Sequence, residues 1–168
     1  MGWLVGVVAV VALLGSYLTW TAKRVDRLHA RAASAGRALD AQLLRRAATS
    51  AVLAEERADP DLYAAARAAL DARVEDREAA ENDLTRVLRR QPLDGEEPSD
   101  AAVIAASRRV ALARHIHTDF VRDALAVRSR PLVRALRMTR RHPVPAYFDI
   151  DDTALTSVTQ VTSRATSD

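Results

Sequence analysis

Cysteine is absent from this 168-residue chain. That excludes disulfides, thiolate metal sites and thiol nucleophiles, and it leaves the redox compartment open. Glycine is scarce, with five in all and only Gly36 and Gly95 beyond residue 15. The glycine-rich loops that cradle phosphates therefore cannot be built. Aromatic residues make up 4% of the chain, and lysine occurs once, at Lys23, so 24 of the 25 basic residues are arginine. A net charge of +3 is too small to argue for nucleic acid as a partner. Alanine, leucine, valine, arginine and acids remain, which is the composition of packed helices. The length suits one domain with an appended segment.

Charge is missing altogether from residues 1–22. As a helix at 1.5 Å per residue they span about 33 Å, against a hydrocarbon core of about 30 Å. Trp3 at one end and Tyr17 and Trp20 at the other match interfacial aromatic anchors. A cleaved secretory signal fits less well. No basic residue precedes the apolar run, and cleavage after Ala22 would put Trp20 where a small side chain is wanted. The expectation is an uncleaved transmembrane helix over 1–22, in contact with membrane lipid. Lys23, Arg24, Arg27 and Arg31 follow it, opposed only by Asp26. The positive-inside rule then places the rest of the chain in the cytoplasm.

Beyond Ala22 the pattern turns helical without a break. Val25, Leu28, Ala32, Ala35, Leu39 and Leu43 recur three and four apart, predicting a helix to about Arg57. Asp59-Pro60-Asp61 supplies an N-cap, a proline at the first helical position and an acid in the first turn. A second helix is predicted to about Arg90, with Tyr63, Ala66, Leu70, Val74, Leu84 and Leu88 as its apolar side. Residues 91–98 read as a loop, and Ser99 as the cap of a third helix. Val103, Ala106, Val110, Ala113, His117, Phe120, Ala124 and Val127 form that helix's seam. Pro131 ends or kinks it, a short fourth helix covers 131–141, and His142-Pro143-Val144-Pro145 forbids more. The stretch 153–168, mostly Ser, Thr and Ala, reads as a disordered tail.

Amphipathic helices joined by short loops bury their stripes against one another. The predicted fold is all-α: an N-terminal transmembrane helix over 1–22, continuing over 23–152 into an elongated antiparallel helical bundle. Charge divides by segment: net +4 over 23–58, −6 over 59–100 and +5 over 101–168. An acidic helix between two basic ones favours one pairing of helices over others, although each exposed pair is worth only tenths of a kcal/mol. Arg130, Arg134, Arg137 and Arg141 share a face that reads as a solvated outer surface or, as the candidate functional reading, a surface for a protein partner. Lipid is disfavoured there, because an up-down-up course would leave Pro131 some 45 Å from the bilayer.

Catalytic motifs fail one by one. His115 and His117 point about 200° apart on a helix and cannot chelate one metal. Glu75, Asp76, Glu78 and Glu81 lack the Glu-x-x-His partners of a di-iron bundle. Asp149-Ile150-Asp151-Asp152-Thr153 resembles the DxDxT signature of haloacid-dehalogenase-like phosphatases. That chemistry needs a parallel sheet and downstream basic and acidic partners, which the fifteen residues after Thr153 do not supply. Neither cofactor nor metal is expected.

Four segments carry a resemblance: Ala38-Leu39-Asp40 to Leu44-Arg45-Arg46, Ala79-Ala80-Glu81-Asn82-Asp83-Leu84, Ala113-Arg114 through Val121-Arg122-Asp123, and Tyr147-Phe148-Asp149. Together they resemble the LemA family over about residues 20–151. They differ from it at His117-Thr118, where the family has Tyr-Asn, and near Pro131, where it has Phe-Pro. The resemblance implies a membrane helix running into an elongated helical bundle, no established catalytic residue, and a protein partner at the cell envelope. From the seam positions, Arg46, Glu81, Asn82, Arg114 and His117 are expected to form a buried polar cluster. The functional expectation is a membrane-anchored, non-enzymatic interaction or scaffold module. Its alternatives are a soluble coiled-coil homo-oligomer after signal cleavage and a membrane-tethered enzyme.

Overall fold

The computed structural model describes residues 2–129 together with Val133 and Phe148. Four helices make up the described chain, and no strand occurs among the described residues. The first, α1, runs unbroken from Gly2 to Glu56, 55 residues in all. It thus carries both the uncharged segment and the first amphipathic stripe. Along it Val25, Ala32, Ala35, Leu39, Leu43, Ala47, Leu53 and Ala54 are buried, the stripe that three-and-four spacing predicts, extended by three more turns.

A left-handed residue ends α1. Ala58 has φ 50°, its N–H donates to Glu55 O, and Asp59 N–H donates to Ala54 O at 2.9 Å. This is the Schellman closure of a helix C-terminus, with alanine where glycine is usual. Asp59 then starts α2 (Pro60–Asp71): its Oδ1 accepts from the N–H groups of Asp61 and Leu62, each at 3.0 Å.

The predicted second helix is in fact two, because α2 stops at Asp71 and α3 spans Arg77–Leu88. No proline or glycine marks the break, and Asp76 stands at the N-cap of α3 without a side-chain cap bond. Tertiary burial decides it. Leu62, Ala66 and Ala69 of α2 and Leu84 and Leu88 of α3 share one apolar cluster with Ala47, Leu53 and Ala54 of α1. In one straight helix Leu62 and Leu88 would lie about 39 Å apart. Folding back unites their faces, and each buried Leu contributes about 1.5–3 kcal/mol. The buried face of α2 is correspondingly Leu62–Ala66–Ala69, while Tyr63 is 40% and Val74 83% exposed. At the hairpin, Arg77 Nη2 donates to Ala72 O at 2.9 Å, satisfying a carbonyl that the end of α2 leaves open.

The last described helix, α4, covers Pro98–Arg128. It begins at Pro98 rather than at a Ser99 cap: the fixed φ of proline suits the first helical position, and Ser99 sits inside the first turn.

The chain divides into two compact units, one with the first 35 residues and the end of α4, the other with Gly36–His117. In the second unit, numbers rise on α1 as they fall on α4: Gly36 lies against His117, Leu43 clusters with Val110, and Leu53 with Val103. These helices are therefore antiparallel. Arg46 pairs with Glu81 and Arg57 with Gln91, so α3 runs parallel to α1. Phe148 packs on Leu39, Leu43 and Val110.

In the first unit Val25 and Leu28 pack with Val127 and Val133. Val127 and Val133 therefore lie beside α1 at Val25, three residues after the uncharged segment ends, and not a helix length away as an up-down-up course would put them. The extra reversal between α2 and α3 is what makes α4 antiparallel to α1. The expected short helix over 131–141 and the tail over 153–168 lie outside the described residues, except for Val133, which is helical.

Candidate functional site

On the wheel that buries Leu43, the next seam positions of α1 are Arg46 and Ser50, both with no exposed surface. Burying a guanidinium unpaired would cost several kcal/mol. Arg46 Nη2 meets Glu81 Oε2 of α3 at 2.6 Å, and neither side chain is exposed. Neighbouring hydroxyls turn back on their own helices: Ser50 Oγ donates to Arg46 O at 2.9 Å and Thr85 Oγ1 to Glu81 O at 2.8 Å. Ser107 of α4 is 5% exposed, and its Oγ makes no such bond among the described residues.

Of the expected cluster, Arg46 and Glu81 are thus joined directly. Asn82 and Arg114 are half-buried. His117 is buried against Gly36 of α1, where a Cβ would lie 3.6 Å from His117 Nε2. Gly36 is ten residues before Arg46, about 15 Å along the helix axis, so His117 occupies a different level of the seam. Burial pushes the His117 imidazole below its ordinary 6.5, and the Asp40 carboxylate opposes this only in part. The candidate partner residues Arg130, Arg134, Arg137 and Arg141 lie outside the described residues.

A second polar cluster joins two connections, α1–α2 and α3–α4, to the first turn of α4. Arg57 Nη2 donates to both carboxylate oxygens of Asp100 at 2.7 and 2.9 Å, and to Pro92 O at 3.3 Å. Its Nη1 donates to Gln91 Oε1 at 3.3 Å, while Gln91 Nε2 donates to Asp59 Oδ2 at 2.7 Å. The Leu62 N–H and the Gln91 amide, in that order, hold the Asp59 carboxyl below its ordinary 3.8. Asp100 is almost wholly enclosed. The cap role of Asp59 is legible in sequence, whereas Arg57, Gln91 and Asp100 give no local signal because their partners are 32 to 43 residues away. Ser50 and Ser107 carry a usable signal: each holds an otherwise apolar seam position.

Around the uncharged part of α1, side chains face outward: an 18-residue apolar window is 0% buried, and the helix is long and apolar enough to cross a membrane. Among the described residues no group of three or more His, Asp or Glu is placed to hold a metal. No protein-family model, curated protein or solved structure matches the chain.

Proposed function

We propose that this chain is a single-pass membrane protein of LemA-like organisation, with its bundle acting as a non-enzymatic interaction or scaffold module at the cell envelope. The observation that carries the reading is the wholly exposed apolar window on α1, continuous with a stretch of the same helix whose opposite side is buried. Water is a poor solvent for that many adjacent apolar side chains, and a bilayer is a good one. The cations after Ala22 favour a cytoplasmic bundle. A partner-binding role is supported by Leu112 and Ile116, one turn apart on α4, 60% and 42% exposed beside Arg109.

Carbonate washing of membranes tests the anchor: the full-length chain stays in the pellet, and its appearance in the aqueous fraction refutes the reading. A mature chain starting near residue 23 would establish cleavage, and with it favour the soluble alternative over the anchor. Because the chain has no cysteine, an Arg67→Cys variant carries a single thiol on an exposed position of α2. An impermeant maleimide leaves it unlabelled in intact cells if the bundle is cytoplasmic. Crosslinking in membranes with wild-type and Leu112→Glu/Ile116→Glu chains then identifies partners, and capture that survives the double substitution excludes that face.

A further inference from the structure

We propose that Lys23, Arg24, Arg27 and Arg31 form a binding surface for the phosphate headgroups of anionic phospholipids, in the leaflet where α1 leaves the bilayer. The inference rests on the membrane-anchored reading and adds to it a preference for one class of lipid. Successive residues of a helix turn by about 100°, so each four-residue step from Lys23 to Arg27 to Arg31 advances by about 40°. Arg24 lies about 20° beyond Arg31 on the same wheel, and all four fall within an arc of about 100°. Trp20 falls near the middle of that arc and Tyr17 just past its edge. Asp26 projects clear of it, and Val25, Leu28 and Ala32 point to the bundle side.

The side chains are arranged accordingly. All four cations are exposed, and none makes an ion pair among the described residues. The Arg24 guanidinium lies over the Trp20 ring, 5.7 Å from its centre, and the Tyr17 and Trp20 rings are 6.3 Å apart. Arg27 Nε donates to Lys23 O at 3.2 Å, which folds the side chain back toward the apolar segment. Helical side chains lean toward the N-terminus in any case, so these long stems reach down to the bilayer and not away from it. Depth agrees as well. Lys23 and Arg31 differ by about 12 Å along the axis. The headgroup layer adds about 5–7 Å beyond the hydrocarbon on each side, and screening sets in over about 8 Å. Lys23, Arg24 and Arg27 thus sit within the layer or the screening length, and Arg31 at its limit.

The chain's two tryptophans make a direct test available. In a Trp3→Phe background Trp20 is the only indole, placed inside the arc. The full-length chain is reconstituted into mixed vesicles of phosphatidylcholine and phosphatidylglycerol, with bromine on the acyl chains of one lipid at a time at equal mole fraction. Brominated phosphatidylglycerol is expected to quench Trp20 more strongly, corresponding to about a fivefold enrichment around the helix. In 1 M salt, with a Debye length of about 3 Å, the preference should vanish. Replacing all four cations with Gln should abolish it, with helix content unchanged because these side chains are exposed. Equal quenching by the two lipids in the parent chain, or a preference that survives the fourfold substitution, overturns the proposal. No quenching by either lipid overturns the anchor reading along with it.

Discussion

Arg46 on α1 and Glu81 on α3 meet at 2.6 Å inside an alanine-lined core, and water reaches neither side chain. Their attraction offsets a desolvation cost of comparable size, so the pair's net value is small while the loss of one partner is expensive. Arg46→Met or Glu81→Leu alone is expected to cost about 3–5 kcal/mol in denaturant unfolding followed by circular dichroism. The double variant should recover most of that loss. If both singles unfold like wild type, the pair is not buried in solution.

Arg57 and Asp100 give an asymmetric prediction. Asp100 is 1% and Arg57 27% exposed. Removing the arginine strands an enclosed carboxylate, whereas removing the carboxylate leaves a guanidinium that still reaches water and Gln91. Arg57→Ala should therefore cost more than Asp100→Ala, with both in the range of about 1–3 kcal/mol. Equal costs in matched unfolding curves would contradict the geometry.

Two backbone positions invite stabilising changes. Ala58 occupies the left-handed region at φ 50°, so Ala58→Gly relieves strain and should add about 1 kcal/mol. Gly36 lies within a helix, and a Cβ there would make only ordinary contact with His117 at 3.6 Å. Gly36→Ala should add about 0.5–1 kcal/mol by restricting the unfolded chain. Gly36→Leu should subtract, because its longer side chain meets the imidazole. Thermal melts of the three variants check the signs.

Stability should fall in two limbs as pH is lowered. His117 has its imidazole pushed below 6.5 in the fold, so below 6.5 the unfolded chain binds more protons and gains on the folded one. Above 6.5 this contribution is constant. Asp59, held below 3.8, keeps its contribution above that value and loses it as pH falls further. In unfolding curves taken across the pH range, His117→Gln should flatten the first limb only, and Asp59→Asn, which retains a capping side chain, the second only.

The stripe on α1, the proline start of α2 and the seam of α4 are legible in sequence because each depends on spacing within a few residues. The break at 72–76 is not, since the alternative continuous helix satisfies every local preference and fails only at burying Leu62 and Leu84 together. From that one missed reversal follows the wrong direction for α4, and with it the expectation that the chain near Pro131 lies a helix length from residue 22. The Arg46–Glu81 contact is legible from two charged seam positions. The level of His117 is not, because nothing local says which turn of a seam of repeating Ala, Val and Leu a given turn of the other helix will face.

Because α1 does not pause at Ala22, the uncharged segment and the amphipathic stretch that follows it share one run of backbone hydrogen bonds. Starting a helix is the slow, unfavourable step, and lengthening it is easy. In the membrane-anchored reading, lipid insertion leaves a preformed template whose growing end emerges at Lys23, and the other helices dock on a rod that already exists. With the segment from Met1 to Ala22 removed, the same bundle must begin from coil, so the truncated chain is expected to refold more slowly and fray first at Val25.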